Sequence, residues 1–341
     1  MIYPDFLKPG DTIGICAPSD GNSKDVDIHR LENGIATLER KGFHVYETAS
    51  VRKSEKGRSA SKEQRAKEFM ELIEAPHIKT IVSAKGGDFM CEMLSLIDFD
   101  SIKQNPKWYQ GYSDNTCLTF TITTLCDIAT IYGNNFNDFG MEEWHSSVQN
   151  DFKLLTGNCP VQNHFDWHED AFHDKITGLE SYAKDKKVCW KSEGNQDVTI
   201  EGRLLGGCLD VLLDICGTRF DGVKEFLDRY YDDKIVWYLE SFALSSEALT
   251  RGLWRLKEAG WFKNVAGFVF GRPCFFSTET DTTYEEAVTS VLSDFNVPIL
   301  YDVDIGHKGP QFAVVNGAYG CFTYKKSNEE FVGSLAMKWK A

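Results

Sequence analysis

Basic side chains are the scarcer charge: 37 Lys and Arg stand against 51 Asp and Glu, a formal net charge of −14. That balance disfavours a nucleic-acid backbone or an anionic membrane as partner. No stretch reaches the roughly 20 apolar residues that a bilayer crossing needs. The opening Met1-Ile2-Tyr3-Pro4-Asp5 carries neither a basic n-region nor an apolar h-region, so no secretory signal is expected. The 10 cysteines include no Cys-x-x-Cys pair, and most sit in apolar runs such as Ile13-Gly14-Ile15-Cys16-Ala17. Thiols so placed pack as small hydrophobes, which points to a reducing, cytoplasmic setting rather than a disulfide framework. Internal repeats and low-complexity segments are also missing.

What is present suffices for a large packed core: 42% hydrophobic and 13% aromatic residues in a chain of 341. In the first part, short apolar runs alternate with amphipathic stretches. The pattern predicts strands over 12–17, 43–47, 80–84, 108–112 and 129–133, and helices over 28–41, 62–73, 91–97 and 115–126. Such alternation implies an α/β fold with a mainly parallel sheet flanked by helices. From 134 to 197 no period is visible, and a long irregular segment in a compact protein is usually functional or mobile. Beyond it, helices are expected over 209–216 and 246–259, and strands over 234–239, 266–270 and 297–301. Residues 311–315 and 321–324 suggest an antiparallel edge. The expected division is an N-terminal α/β domain over 1–165, a linker or substrate-facing excursion over 166–197, and a C-terminal α/β domain of different topology over 198–341. Trp167 and Trp190 in the excursion either stack on a flat substrate group or cover the junction.

Four segments carry candidate chemistry. In Gln110-Gly111-Tyr112-Ser113-Asp114-Asn115-Thr116 an apolar strand runs into a glycine, a serine and then a helix. A sharp strand-to-helix turn of this kind lifts a hydroxyl out at the sheet edge, beside free helix N–H groups suited to an oxyanion. Ser113 or Asp114 serving merely as an N-cap is the competing reading. Ala84-Lys85-Gly86-Gly87-Asp88 follows a strand and permits close backbone approach to a ligand. It is no P-loop, and Gly202-Arg203-Leu204-Leu205-Gly206-Gly207 does not satisfy the dinucleotide fingerprint. Glu240 ends the apolar run Val236-Trp237-Tyr238-Leu239, and His307 lies between Gly306 and Lys308-Gly309 in a loop after a strand. A serine nucleophile needs a base, and the base needs an orienting partner; Ser113, His307 and Glu240 supply the three types at strand ends or adjoining loops. His164, His168 and His173, near Asp166, Glu169 and Asp170, raise a metal alternative, but their spacing fits no standard zinc pattern.

Together these segments resemble the family of muramoyltetrapeptide (LD-) carboxypeptidases and the related microcin C immunity peptidases. The similarity starts at Leu7-Lys8-Pro9-Gly10-Asp11-Thr12-Ile13-Gly14 and runs through Gly86-Gly87-Asp88 and Gly111-Tyr112-Ser113-Asp114. It continues through Gly202-Arg203-Leu204-Leu205-Gly206-Gly207-Cys208, Leu239-Glu240, Gly271-Arg272 and Gly306-His307. The resemblance implies a serine-type carboxypeptidase with a triad of Ser113, Glu240 and His307 and an oxyanion hole at the backbone N–H groups of Gly87 and Asp114. It also implies an active site between two domains, a homodimer, and chemistry that needs no metal or organic cofactor. Two substrates follow from it: a murein tetrapeptide losing terminal D-alanine, as in murein recycling, or a peptidyl- or aminoacyl-nucleotide antibiotic cut at its amide, as in microcin immunity. A ligand-binding protein on the same scaffold is the non-enzyme alternative. Two residues depart from the family pattern. Asn115 is expected to point away from the nucleophile and alter packing, and Cys208 to touch the substrate pocket. Lys85, Asp88, Trp108 and Arg272 are near the site in sequence, with no contact implied.

Overall fold

The structure, a computed structural model, describes residues 1–327 and 330–340. Its first part alternates Thr12–Cys16 (β1), Asp25–Arg40 (α1), His44–Glu47 (β2), Lys62–Glu74 (α2) and Ile78–Ser83 (β3). A 3₁₀ turn at Met90–Leu96 then precedes Phe99–Gln104 (α3), Trp108–Gln110 (β4), Thr116–Cys126 (α4), Thr130–Tyr132 (β5) and Ser146–Leu155 (α5). Strands β1, β3, β4 and β5 are almost wholly buried, which is why they read as continuous apolar runs rather than alternating ones. The strand order is β2-β1-β3-β4-β5, all parallel.

Helix α4, Thr-Cys-Leu-Thr-Phe-Thr-Ile-Thr-Thr-Leu-Cys, has a strand-like composition yet is helical and nearly all buried. Its threonines cost little because their hydroxyls bond within the helix, Thr121 to Cys117 O (2.5 Å) and Thr124 to Phe120 O (3.0 Å). The helix is trapped between the two sheets. Phe120 stacks on Trp261 of the second half, with ring centroids 5.2 Å apart.

The irregular stretch contributes two-residue strands: Gln162–Asn163 (β6), Trp167–His168 (β7), Lys186–Lys187 (β8) and Lys191–Ser192 (β9). Then follow Val198–Cys208 (β10), Leu209–Ile215 (α6), Val223–Arg229 (α7), Ile235–Glu240 (β11), Ser246–Glu258 (α8), Val265–Gly271 (β12), Tyr284–Leu292 (α9) and Ile299–Val303 (β13). The chain ends with Val314–Asn316 (β14), Tyr319–Ser327 (β15) and Glu330–Lys338 (β16). The second sheet has eight strands in the order β6-β16-β15-β10-β11-β12-β13-β9. Its centre, β10 to β13, is parallel, and its flanks are antiparallel. The fold is therefore α/β with two sheets of different topology.

The antiparallel pairing expected of residues 311–315 and 321–324 is present and is divided between the sheets: β14 pairs antiparallel with β5 at the end of the first, and β15 pairs antiparallel with β10 and β16 in the second. Residues 311–318 are all buried at the junction, so their apolar character marks a crossing between sheets rather than a hairpin. Among the described residues no helix is long and apolar enough to cross a membrane.

Candidate active site

Strand β4 ends at Gln110, and the chain turns sharply through Ser113 into α4. Ser113 adopts φ +66°, a left-handed conformation that a non-glycine residue holds only when its surroundings enforce it. The turn is held from several sides. Asn115 accepts from the Tyr109 hydroxyl (2.5 Å) and donates to Tyr112 O (3.0 Å), Lys85 O (3.3 Å) and Asn135 Oδ1 (3.1 Å). The departure at Asn115 is thus a packing and hydrogen-bonding device. Asp114 is buried and accepts from the Ser19 hydroxyl and from the Met90 N–H (2.8 Å). Burial pushes its carboxyl up, and those two bonds offset part of the rise.

The second half brings two side chains to this turn. Glu240 ends β11 fully buried, and His307 follows β13. His307 Nε2 lies 2.8 Å from Ser113 Oγ, and its Nδ1 lies 2.9 Å from Glu240 Oε2. Burial pushes the Glu240 carboxyl up, but the facing His307 charge and hydrogen bonds from His307, Tyr132 and Cys208 outweigh it and hold it below the usual range. Glu240 Oε1 accepts from the Tyr132 hydroxyl (2.5 Å), which in turn accepts the Ser113 N–H (3.2 Å). The loop bearing His307 is clamped by Arg272. That guanidinium pairs with buried Asp304 (2.5 Å) and donates to Lys308 O (2.7 Å) and Pro310 O (2.8 Å).

Ser113 and His307 open into a cavity of about 620 Å³, also lined by Gly87, Asp114, Cys208 and Phe242. Gly87 has φ +156°, and a Cβ there would fall 2.3 Å from Ser19 Oγ, so only glycine fits. Lys85 is the only Lys or Arg among the described lining residues, and it already pairs with Asp20 (3.5 Å) and Asp27 (3.7 Å). Asp20, Asp88, Asp114, Asp210 and Asp214 supply the acidic side chains of the lining. A slightly larger hollow, about 710 Å³, lies between the start of α5 and β7 and contains none of Ser113, Glu240 or His307. The smaller one is the candidate site, because it holds Ser113 at φ +66° with the His307 imidazole in contact.

Other residues singled out in the sequence fall elsewhere. Trp108 is core, against Phe6 and Trp339. Trp190 cannot stack on a substrate: it is 1% exposed, packs on Phe312, and donates to Asp304 (3.0 Å). Trp167 is partly exposed and lines the other hollow. The aromatic that the excursion does present to the cavity is Phe172, packed on Phe242 and Phe275. His173 pairs with Asp185 (2.6 Å), His168 faces Glu169 O (2.7 Å) and His164 packs at a tilt against Phe331. Among the described residues no three His, Cys, Asp or Glu side chains converge as a metal would require. Tyr132 escaped sequence reasoning. Its one signal was a tyrosine at the carboxyl end of a parallel strand, where it reads equally well as core.

A strained serine with an imidazole on its oxygen, backed by a buried carboxylate, is a side-chain arrangement that serine hydrolases use. The chain belongs to the LD-carboxypeptidase family: that family's N-terminal domain matches residues 13–133 and its C-terminal domain residues 201–321. It is a serine-type carboxypeptidase by family. A putative carboxypeptidase of Vibrio cholerae is 28% identical over 95% of this chain and 96% of its own. The microcin C7 self-immunity protein MccF of Escherichia coli is 28% identical over 94% of this chain and 93% of its own. A solved structure of an MccF variant with adenosine monophosphate superposes with a TM-score of 0.79, at 25% identity and covering 100% of both chains. A probable murein peptide carboxypeptidase of Bacillus subtilis is 25% identical over 92% of this chain and 89% of its own.

Proposed function

We propose that the protein releases terminal D-alanine from murein tetrapeptides by a Ser-His-Glu acyl-enzyme mechanism. The observation that carries this reading is the unbroken series Ser113 Oγ, His307 and Glu240, with contacts of 2.8 and 2.9 Å at a serine held at φ +66°. His307 takes the Ser113 proton as Oγ attacks the scissile carbonyl carbon. The oxyanion is received by the N–H groups of Gly87 and Asp114, worth roughly 3–4 kcal/mol for each such donor. Glu240 fixes the tautomer of His307 and offsets its developing charge. His307 then protonates the leaving amine as the C–N bond breaks. Water, giving one proton to His307, attacks the ester carbon, and His307 returns that proton to Ser113 Oγ as the acyl–oxygen bond breaks. A cytoplasmic homodimer is the working form in this reading.

A second substrate has its own support. MccF, a relative over nearly the whole chain, has been solved with a nucleotide, and Phe172 and Phe242, backed by Phe275, give this cavity an aromatic wall. An aminoacyl- or peptidyl-nucleotide amide is the alternative, its base lying on that wall. Mass spectrometry of both substrates with wild type and Ser113→Ala separates the readings. D-alanine release that the variant loses is the expected result. Cleavage of the nucleotide amide alone would transfer the assignment to the immunity-type reaction, and undiminished turnover by Ser113→Ala would remove Ser113 as nucleophile.

A further inference from the structure

We propose that Tyr132 is a positioning residue for the hydrolysis, its hydroxyl fixing both the acid and the nucleophile across the two sheets; this rests on the serine-hydrolase reading above. The hydroxyl sits at the one place where both ends of the Ser-His-Glu series meet. Its proton goes to Glu240 Oε1 (2.5 Å), and its oxygen accepts the Ser113 N–H (3.2 Å). With Glu240 Oε2 on His307 Nδ1 and His307 Nε2 on Ser113 Oγ, the four residues close a ring.

Each bond answers a physical need. The terminal torsion of a glutamate is soft, so one hydrogen bond leaves the carboxylate free to swing. A second donor on Oε1 fixes the plane in which Oε2 meets the imidazole. Glu240 is 0% exposed, and losing that donor would leave the buried carboxylate to His307 and the weak thiol donor of Cys208 alone. Ser113, in its turn, holds a strained φ, and its N–H needs an acceptor to keep the turn where Oγ points at His307. Tyr132 is itself immobile: it ends β5, is 0% exposed, and packs on Tyr112 and Tyr238. Burial and the Glu240 charge push its hydroxyl pKa up, so it stays a neutral donor.

Tyr132→Phe removes only the oxygen. Tyr238→Phe is the matched control, since that hydroxyl is equally buried but donates to Asn316 Oδ1 (2.8 Å), away from the ring. For whichever substrate wild type cleaves, Tyr132→Phe should lower kcat by roughly 10- to 100-fold, the factor expected for a hydrogen bond to a charged group. KM should stay unchanged, and Tyr238→Phe should keep wild-type kcat. Equal kcat in Tyr132→Phe and wild type would overturn the proposal, as would a parallel fall in both variants. If wild type cleaves neither substrate, the function reading fails, and the proton NMR resonance of His307 Nδ1–H in the free protein decides. A displaced resonance in Tyr132→Phe alone supports Tyr132 as the positioner, and an unmoved one rejects it.

Discussion

At the scale of single residues, the site depends on places where a side chain would not fit. Gly306, immediately before His307, has φ +100°, and a Cβ there would lie 2.6 Å from Glu240 Oε2, the oxygen that holds the imidazole. Gly306→Ala therefore combines two effects, left-handed strain of roughly 1–2 kcal/mol and displacement of the carboxylate. Gly10 separates them. It has φ +93° with nothing within 4 Å of its missing Cβ, so Gly10→Ala carries the strain alone. Gly306→Ala should lose about 100-fold or more in kcat, the usual result of misplacing a reacting group by about 1 Å. Gly10→Ala should lower the melting temperature by a comparable amount while keeping kcat. Steady-state kinetics with thermal unfolding reads both, and similar kcat values for the two variants would contradict the crowding argument. These positions also show what the sequence made legible. Ser113, Glu240 and His307 could be singled out because serine, acid and histidine stood at strand ends with glycines beside them. Tyr132 could not, and Arg272 was noted only as lying near the site in sequence, because a buried tyrosine and a buried arginine acquire their roles from partners distant in the chain, Glu240 and Lys308 among them.

At the scale of elements, legibility followed the nature of the buried face. Strands β1, β3, β4 and β5 showed as apolar runs because both of their faces are covered. Helix α5 was invisible because its buried face carries Ser147 and Asp151 among Val148, Leu154 and Leu155, which breaks the 3.6-residue apolar period. Strand β10 was obscured by Gly202, Gly206 and Gly207, and Trp190 stayed open between stacking on a substrate and covering the junction because charged residues surround it in sequence. Asp151 explains the missed helix and also predicts a pH effect. Its side chain is 0% exposed, Oδ2 accepts from Asn134 Nδ2 (2.5 Å), and Oδ1 has no partner. Burial pushes this carboxyl well above its ordinary range, with the Asn134 bond opposing. A raised folded-state pKa means that the native protein holds a proton which the unfolded chain has already released. The associated stability is full below the unfolded pKa, about 4, and is lost as pH rises towards the folded one. The slope is at most about 1.4 kcal/mol per pH unit. Asp151→Asn, which cannot ionise, should be more stable than wild type at pH 7, with the gain shrinking at pH 4. Urea unfolding at the two pH values measures this; an equal difference at both would show that Asp151 is ionised in the folded protein.

At the scale of the whole molecule, the two sheets are joined by more than the chain between them. Strand β14, from the last part of the sequence, forms the edge of the first sheet beyond β5. Conversely β6, from the earlier part, pairs with β16 at the edge of the second. Helix α4 packs Phe120 into the cluster around Trp237 and Trp261. The site adds two polar bonds of the same kind, Ser113 to His307 and Tyr132 to Glu240, each linking the first half to the second. Removing either half would strip an edge strand from the other and uncover the apolar surface beneath α4. Exposing that surface costs about 25 cal/mol for each Å², a penalty set against the small net stability of any folded unit. Separate unfolding of the halves is thus disfavoured, and one cooperative transition is expected. In calorimetry the van't Hoff and calorimetric enthalpies should agree. Loss of near-ultraviolet dichroism, which reports the packed aromatics, Trp237 and Trp261 at the junction among them, should coincide with loss of backbone dichroism. Two resolved transitions would mean that the shared strands and α4 detach before either sheet unfolds, and the site would then be lost in the first of them, because its serine and its histidine belong to different halves.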